Sequence, residues 1–320
     1  MKEYYDNVIA GLVIILFSAT GLLCYVPMFI TIIKIWKETK NHFYLLLLAQ
    51  AVCDAIQLLL YLFYGAPSTL LGRPLYGDKL DALIFGTLNN FSYFSGMAML
   101  INVGLNRYWA VCQKHTYKVI YSRFFILLSI TGCFAFGLAS AIPQLTPCCP
   151  LKYWQDVFSF GYDMNPEAPY VWFDRAVNIG TFVSGSFMYT YMILYIRKVQ
   201  AQISPSMTGN NSENIRDRMN QRLALQSAMV FSLVLVAGLA FTFVPMLSTS
   251  KWWSLMTTVI NLVAFGIQPV IYMLFNSIIR GKVKVLMPCW KSGQITSAAV
   301  VSISNATRSR RAGEGLARVG

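Results

Sequence analysis

The sequence predicts an all-α membrane protein, a bundle of seven transmembrane helices, and three observations carry that prediction. The 320 residues are 56% apolar and only 12% charged, about half the charged share of an ordinary globular chain. Their mean hydropathy is +0.52. Seven apolar stretches each reach the roughly 20 residues that a helix needs to cross a bilayer, and the basic residues fall asymmetrically between them. Backbone groups in hydrocarbon must be satisfied within helices or a closed barrel. These stretches lack the roughly ten-residue alternation of barrel strands, which leaves helices.

The spans run about 8–33, 43–63, 82–107, 123–145, 174–196, 223–247 and 252–275. The first is longer than the apolar run of a secretory signal, and Glu3 and Asp6 interrupt the basic start such a signal needs, so it is expected to be retained. The second carries Asp54 near its middle, where an ionised carboxylate costs roughly 2.5–3.5 kcal/mol. Two roles fit an acid there: a hydrated cluster, able to bind a cation, that rearranges when the bundle switches, or a protonated or hydrogen-bonded group that only helps helices associate.

The third span places Asn89, Tyr93 and Gly96 on one helical face with Leu100, Val103 and Arg107 deeper in, and closes on Asn106, Arg107 and Tyr108. From that depth an arginine reaches the interface by snorkelling. The sixth span carries Phe241-Thr242-Phe243-Val244-Pro245, and the seventh carries Asn261 and then Gln268-Pro269-Val270-Ile271-Tyr272. A proline inside a helix removes a backbone hydrogen bond and bends it, which gives both spans a lever.

Residues 276–288 read as a short amphipathic helix, with Ile279, Val283, Leu286 and Met287 on one face and Arg280, Lys282 and Lys284 among its polar residues. It ends at Cys289, a candidate for lipidation at the inner leaflet. Residues 1–290 are thus expected to form one seven-transmembrane domain. Residues 291–320, rich in Ser and Thr and closing with arginines, are expected to be a disordered cytoplasmic tail.

Twenty of the 26 Lys and Arg residues lie on the carboxyl-terminal side of the membrane, against 4 of the 13 acids. Positive residues stay inside, so the amino terminus is expected outside, at the plasma membrane. The net charge of +13 divides into +16 inside, −2 outside and −1 from Asp54. A basic excess placed this way suits anionic membrane lipid, and no nucleic-acid partner is expected.

Of the seven cysteines, Cys148 and Cys149 fall in an outer loop, where oxidation is possible. A bond between these neighbours, pairing in trans and free thiols all fit. His42 and His115 are too far apart for a local metal motif, and neither a phosphate loop nor a nucleophile elbow occurs. No enzymatic activity, cofactor or metal is expected.

The order of these landmarks resembles rhodopsin-like G protein-coupled receptors. Asp54 stands where that family keeps a second-helix aspartate, Arg107 where it keeps the arginine of an Asp-Arg-Tyr motif, Pro245 at its sixth-helix proline, and Pro269 and Tyr272 at its Asn-Pro-x-x-Tyr motif. Asn106 replaces the acid, Phe243 the sixth-helix tryptophan and Gln268 the seventh-helix asparagine. Tyr25-Val26-Pro27-Met28, Asn106-Arg107 and Gly266-Ile267-Gln268-Pro269-Val270-Ile271-Tyr272 with Asn276, Ile279 and Arg280 look like nematode serpentine chemoreceptors of the Srt and Srx classes.

The resemblance implies a small-molecule ligand outside and a heterotrimeric G protein inside, with arrestin as a further partner of the tail. Arg107 and Tyr272 would move between inactive and active arrangements. Asn89, Tyr93, Phe241, Phe243 and Asn261 are expected to line the outer pocket. With no pocket acid to anchor an amine, a neutral or apolar ligand is expected. The competing readings are a seven-helix transporter or channel subunit, against which the lack of internal repeats and the single embedded acid argue, and a receptor-like protein that has lost signalling.

Overall fold

The computed structural model describes residues 2–146, 149–162, 169–202, 211–247 and 250–286. Eleven helices appear among them, and all seven spans are helical. The first span is α1 (Lys2–Thr39). The second is α2 (Phe43–Leu60), a π-helical turn over Tyr61–Gly65, and α3 (Ala66–Leu71). Pro67 explains the widened turn. Its ring clashes with the carbonyl four residues back and it supplies no N–H, so the chain takes up one extra residue there.

The third span repeats the device with α4 (Asp78–Asp81), a π turn over Ala82–Gly86, and α5 (Thr87–Cys112). The short α6 (Lys114–Ile120) connects it to the fourth span, α7 (Arg123–Ala141), which opens on Ser122 accepting from Phe125 N and ends in a 3₁₀ turn. The fifth, sixth and seventh spans are α8 (Pro169–Gln202), α9 (Asn211–Leu247) and α10 (Lys251–Phe275). These helices outrun the apolar stretches because a helix started in hydrocarbon continues to satisfy its own backbone through the interface.

The amphipathic helix is α11 (Ser277–Leu286). Asn276 caps it: its Oδ1 accepts from Ile278 N at 3.1 Å and Ile279 N at 3.2 Å, occupying two otherwise orphaned donors. Ile279 and Val283 are buried against the bundle. Lys282 pairs with Glu38 at 2.7 Å, which ties this helix to the carboxyl-terminal end of α1. Cys289 and the tail lie outside the described residues.

Six of the described helices are long and apolar enough to cross a membrane by length and composition alone. The third span is the other one, and its position explains why. It packs against α2, α7, α8 and α9, so it meets helices where its neighbours meet lipid. Asn89, Asn90, Ser92, Ser95, Asn102, Asn106 and Arg107 are all buried on it, tolerable only because they face the bundle interior. The outward surfaces are the reverse, with Leu12, Leu23, Phe124, Val183 and Phe187 exposed. Small residues allow close helix approach: a Cβ on Gly21 would stand 3.0 Å from the Gly266 Cα, so α1 and α10 touch backbone to backbone.

Two elements were not anticipated from the sequence, the short α6 and a hairpin. The connection between α7 and α8 contains an antiparallel hairpin, β1 (Leu151–Trp154) and β2 (Ser159–Tyr162), with Leu151 opposite Tyr162 and Trp154 opposite Ser159. Strands of four residues carry too little alternation to stand out beside spans of twenty.

Candidate functional site

Three buried polar groupings lie along the bundle between the end that carries the amino terminus, termed outer after the charge asymmetry of the sequence, and the end that carries α11, termed inner. The outermost lines a cavity of about 360 Å³. Asn89, Asn90 and Tyr93 of α5 form one wall with Gln57 and Tyr61 of the second span. Asp174, Arg175 and Asn178 of α8 form another, and Phe241 and Thr242 of α9 with Asn261 and Phe265 of α10 complete the ring. Leu151, Phe160 and Tyr162 of the hairpin roof it.

The roof is held from several sides. Thr69 Oγ1 and the Tyr153 hydroxyl share a hydrogen bond at 2.7 Å, Leu151 N donates to Gln144 Oε1 at 2.9 Å, and Thr258 Oγ1 donates to the Phe158 carbonyl at 3.0 Å. A Cβ on Gly86 would run into the Leu151 carbonyl, so only glycine lets the third span approach the hairpin this closely. Tyr61 meets Phe160 edge-on at 5.4 Å. Burial pushes the Tyr153 and Tyr162 phenols well above their usual range, which keeps them protonated.

The cavity's polar side chains are mutually oriented. Gln57 Nε2 donates to the Asn89 carbonyl at 2.7 Å and to Ser92 Oγ at 2.8 Å, and Asn89 Nδ2 returns a bond to Gln57 Oε1 at 3.2 Å. Asn90 Nδ2 donates to the Tyr170 hydroxyl at 2.6 Å and to the Ser140 carbonyl at 3.1 Å. The Tyr93 hydroxyl donates to Asn178 Oδ1 at 2.6 Å, and Asn178 Nδ2 donates to Asp174 Oδ1 at 3.0 Å.

The middle grouping centres on Asp54, which is 2% exposed. Tyr25 donates its hydroxyl to Asp54 Oδ2 at 2.9 Å, and Gln50 Nε2 donates to Oδ1 at 3.0 Å. The Tyr25 hydroxyl also lies 3.0 Å from the Phe265 carbonyl, so one phenol joins the first, second and seventh spans. Gly96, Leu100 and Gln268 line the small space beside the acid.

At the inner end, Arg107 is buried at 4% exposure. Its Nη2 donates to Asn106 Oδ1 at 3.0 Å, and its guanidinium carbon lies 3.3 Å from the centroid of the Phe43 ring. Asn106 Nδ2 reaches the Tyr117 hydroxyl at 3.4 Å. Tyr44, Tyr117, Tyr189 and Tyr272 are near enough to act on the charge of Arg107.

Of the residues expected in the pocket, Asn89, Tyr93, Phe241 and Asn261 stand around the one cavity. Phe243 does not: it is 51% exposed on the outer surface of α9, because two residues along a helix turn a side chain about 200° away. Of the expected switch residues, Asp54, Asn106, Arg107, Gln268, Pro269 and Tyr272 are all buried in the bundle. Tyr108 turns away towards the fifth span, with its ring 5.8 Å from that of Tyr191. Pro245 falls within α9, but its side chain lies outside the described residues.

The expectation that no acid reaches the pocket fails. Asp174 lines it, because α8 begins at Pro169 and so places Asp174 in the second turn of the helix rather than at its first residue. The pair Asp174 and Asn178, one helical turn apart, was the signal available in the sequence. The hairpin residues offered none. Cys24, Cys53, Cys112 and Cys133 are free thiols, whereas Cys149 is disulfide-bonded; Cys148 lies outside the described residues. Among the described residues, no three His, Cys, Asp or Glu side chains gather to hold a metal.

The fold is similar to a solved receptor. The crystal structure of squid rhodopsin aligns with a TM-score of 0.75 at 14% sequence identity, covering 91% of this chain and 83% of that one. No curated protein sequence matches. The family described as serpentine type 7TM GPCR chemoreceptor Srx matches residues 15–276, most of the chain and every span. Together with the helical bundle and its central polar third span, that match shows that the chain belongs to the Srx family of serpentine seven-transmembrane chemoreceptors.

Proposed function

We propose that this chemoreceptor binds a small molecule in the roofed outer cavity and relays its presence through the Asp54 grouping to Arg107, which controls a cytoplasmic surface that engages a heterotrimeric G protein. The single observation that carries the reading is the continuity of the third span. Its Asn89 and Tyr93 stand in the cavity wall, and its Asn106 and Arg107 are buried at the inner end of the same helix. A ligand that favours one placement of this helix over another biases the inner end by its differential affinity for the two.

In this reading the amino terminus and hairpin face outside at the plasma membrane, and the basic loops face the inner leaflet and the G protein. Arrestin would engage the Ser- and Thr-rich tail after phosphorylation, and Cys289 would carry a lipid anchor. The test is a ligand screen read by nucleotide exchange on a G protein in membranes containing the receptor. The expected result is ligand-dependent exchange that Arg107→Ala removes while surface expression persists. Substrate flux into proteoliposomes without any exchange would replace the receptor reading with transport.

A further inference from the structure

We propose that the outer cavity selects a ligand bearing a protonated amine, with Asp174 as its anchor; this deepens the preceding section and rests on the cavity being the ligand site. Asp174 sits in the second turn of α8 and contributes to the cavity wall. Its partners are arranged as a chain of donors: Tyr93 gives its proton to Asn178 Oδ1, which leaves the Asn178 amide nitrogen to face Asp174 Oδ1 at 3.0 Å. A carboxylate offers about four acceptor directions, and this chain fills one.

The neighbouring Arg175 also lines the cavity and acts on the acid through space, but it forms no ion pair with it. Adjacent residues on a helix do not face each other, and the Arg175 guanidinium carbon lies 5.2 Å from the Trp172 ring centroid, against an exposed indole. The ion pairs among the described residues join Lys251 to Asp6 and Lys282 to Glu38, not Arg175 to Asp174. A half-buried carboxylate with a single amide donor among the described residues is costly, and a ligand ammonium that both bonds to it and matches its charge offsets that cost.

The remaining walls describe the rest of the ligand. Tyr61, Phe160, Phe241 and Phe265 offer aromatic surface to an apolar body, and ring faces also favour a cation. The volume of about 360 Å³ lies near the lower end of the roughly 300–1,000 Å³ typical of ligand pockets. The class is therefore a small amine on an aromatic or short aliphatic body. An anionic head would meet Asp174 with repulsion, and a neutral head would leave it underbonded.

The test uses the full chain in lipid nanodiscs and probes that share a body but differ in head: 2-phenylethylamine, 2-phenylethanol and 3-phenylpropanoate, with linear alkylamines of increasing length. Binding is read as a concentration-dependent rise in melting temperature, independent of any G protein. The amine is expected to bind on the order of ten- to a hundredfold tighter than the alcohol. Asp174→Asn should erase that difference, and Asp174→Glu should restore part of it. Equal affinity for amine and alcohol, preference for the carboxylate, failure of every amine to bind, or full amine affinity in Asp174→Asn would each overturn the proposal. The amine–alcohol comparison is made on the unaltered chain, so it decides the matter even where a variant fails to fold. Asn261→Trp, which obstructs the cavity from the opposite side, separates the two levels. Binding that survives it removes the cavity itself, whereas binding that it abolishes but Asp174→Asn spares removes only the anchor.

Discussion

The guanidinium of Arg107 stacks on Phe43, with its central carbon 3.3 Å from the ring centroid, while its Nη2 bonds to the adjacent Asn106 at 3.0 Å. The charge at the inner end of the third span is thus held by an aromatic face and a neutral amide, with no carboxylate in contact among the described residues. A desolvated cation over a ring is worth about 2 kcal/mol, enough to hold one arrangement of a bistable bundle and small enough for a ligand to overcome.

Removing that ring should loosen the restraint. Phe43→Leu keeps apolar volume but discards the π face, so basal nucleotide exchange on a G protein is expected to rise several-fold, towards the about thirtyfold limit that 2 kcal/mol allows. Phe43→Tyr should stay near the native level. Equal basal exchange in all three proteins would exclude the stacked pair as a restraint.

The Tyr25 hydroxyl bonds to Asp54 at 2.9 Å, and among the described residues Gln50 is that acid's other side-chain donor. Tyr25→Phe should therefore destabilise the bundle by about 1–3 kcal/mol, the penalty for stranding a buried polar group. The measurement is thermal unfolding in detergent, with Phe29→Leu on the same helix as a control. A melting temperature as high as the native one would show that the bond contributes nothing.

Two aromatic residues of the sixth span make opposite predictions. Phe241 lines the cavity, whereas Phe243, two residues on, is exposed on the outside of the bundle. Phe241→Ala should weaken ligand potency by roughly tenfold or more, given about 1.5–3 kcal/mol for a buried phenylalanine, and Phe243→Ala should leave it unchanged. Dose–response curves for both variants decide this, and an effect confined to Phe243 would reverse the assignment. Substituting Asn89 and Tyr93 together should also shift potency.

Gly86 tests the roof. Because a Cβ there would strike the Leu151 carbonyl, Gly86→Ala should push the hairpin off the third span at a cost of about 1–3 kcal/mol in overpacking. Faster ligand dissociation at retained surface expression is the expected outcome. Unaltered dissociation would mean that the hairpin does not close the cavity.

The spans were legible because each is an average over about twenty residues, and hydropathy averaged over that length overwhelms local ambiguity. Asp54 and Arg107 stood out for the same reason in reverse, as ionisable groups in a setting that makes them costly. The hairpin was hidden because four-residue strands carry little pattern and part of what holds them comes from Thr69 and Thr258, both distant in sequence, beside the nearby Gln144.

The sequence by itself determined a membrane bundle, its number of spans and the residues that needed polar company inside it. Only the tertiary structure decided which company each one keeps: Tyr25 with Asp54, Phe43 with Arg107, and Tyr93 through Asn178 with Asp174. Partition into lipid depends on composition summed along one helix, which a linear text contains. Pairing depends on helix rotation and close approach between spans, set by contacts such as that between Gly21 and Gly266, whose partners stand far apart in the chain.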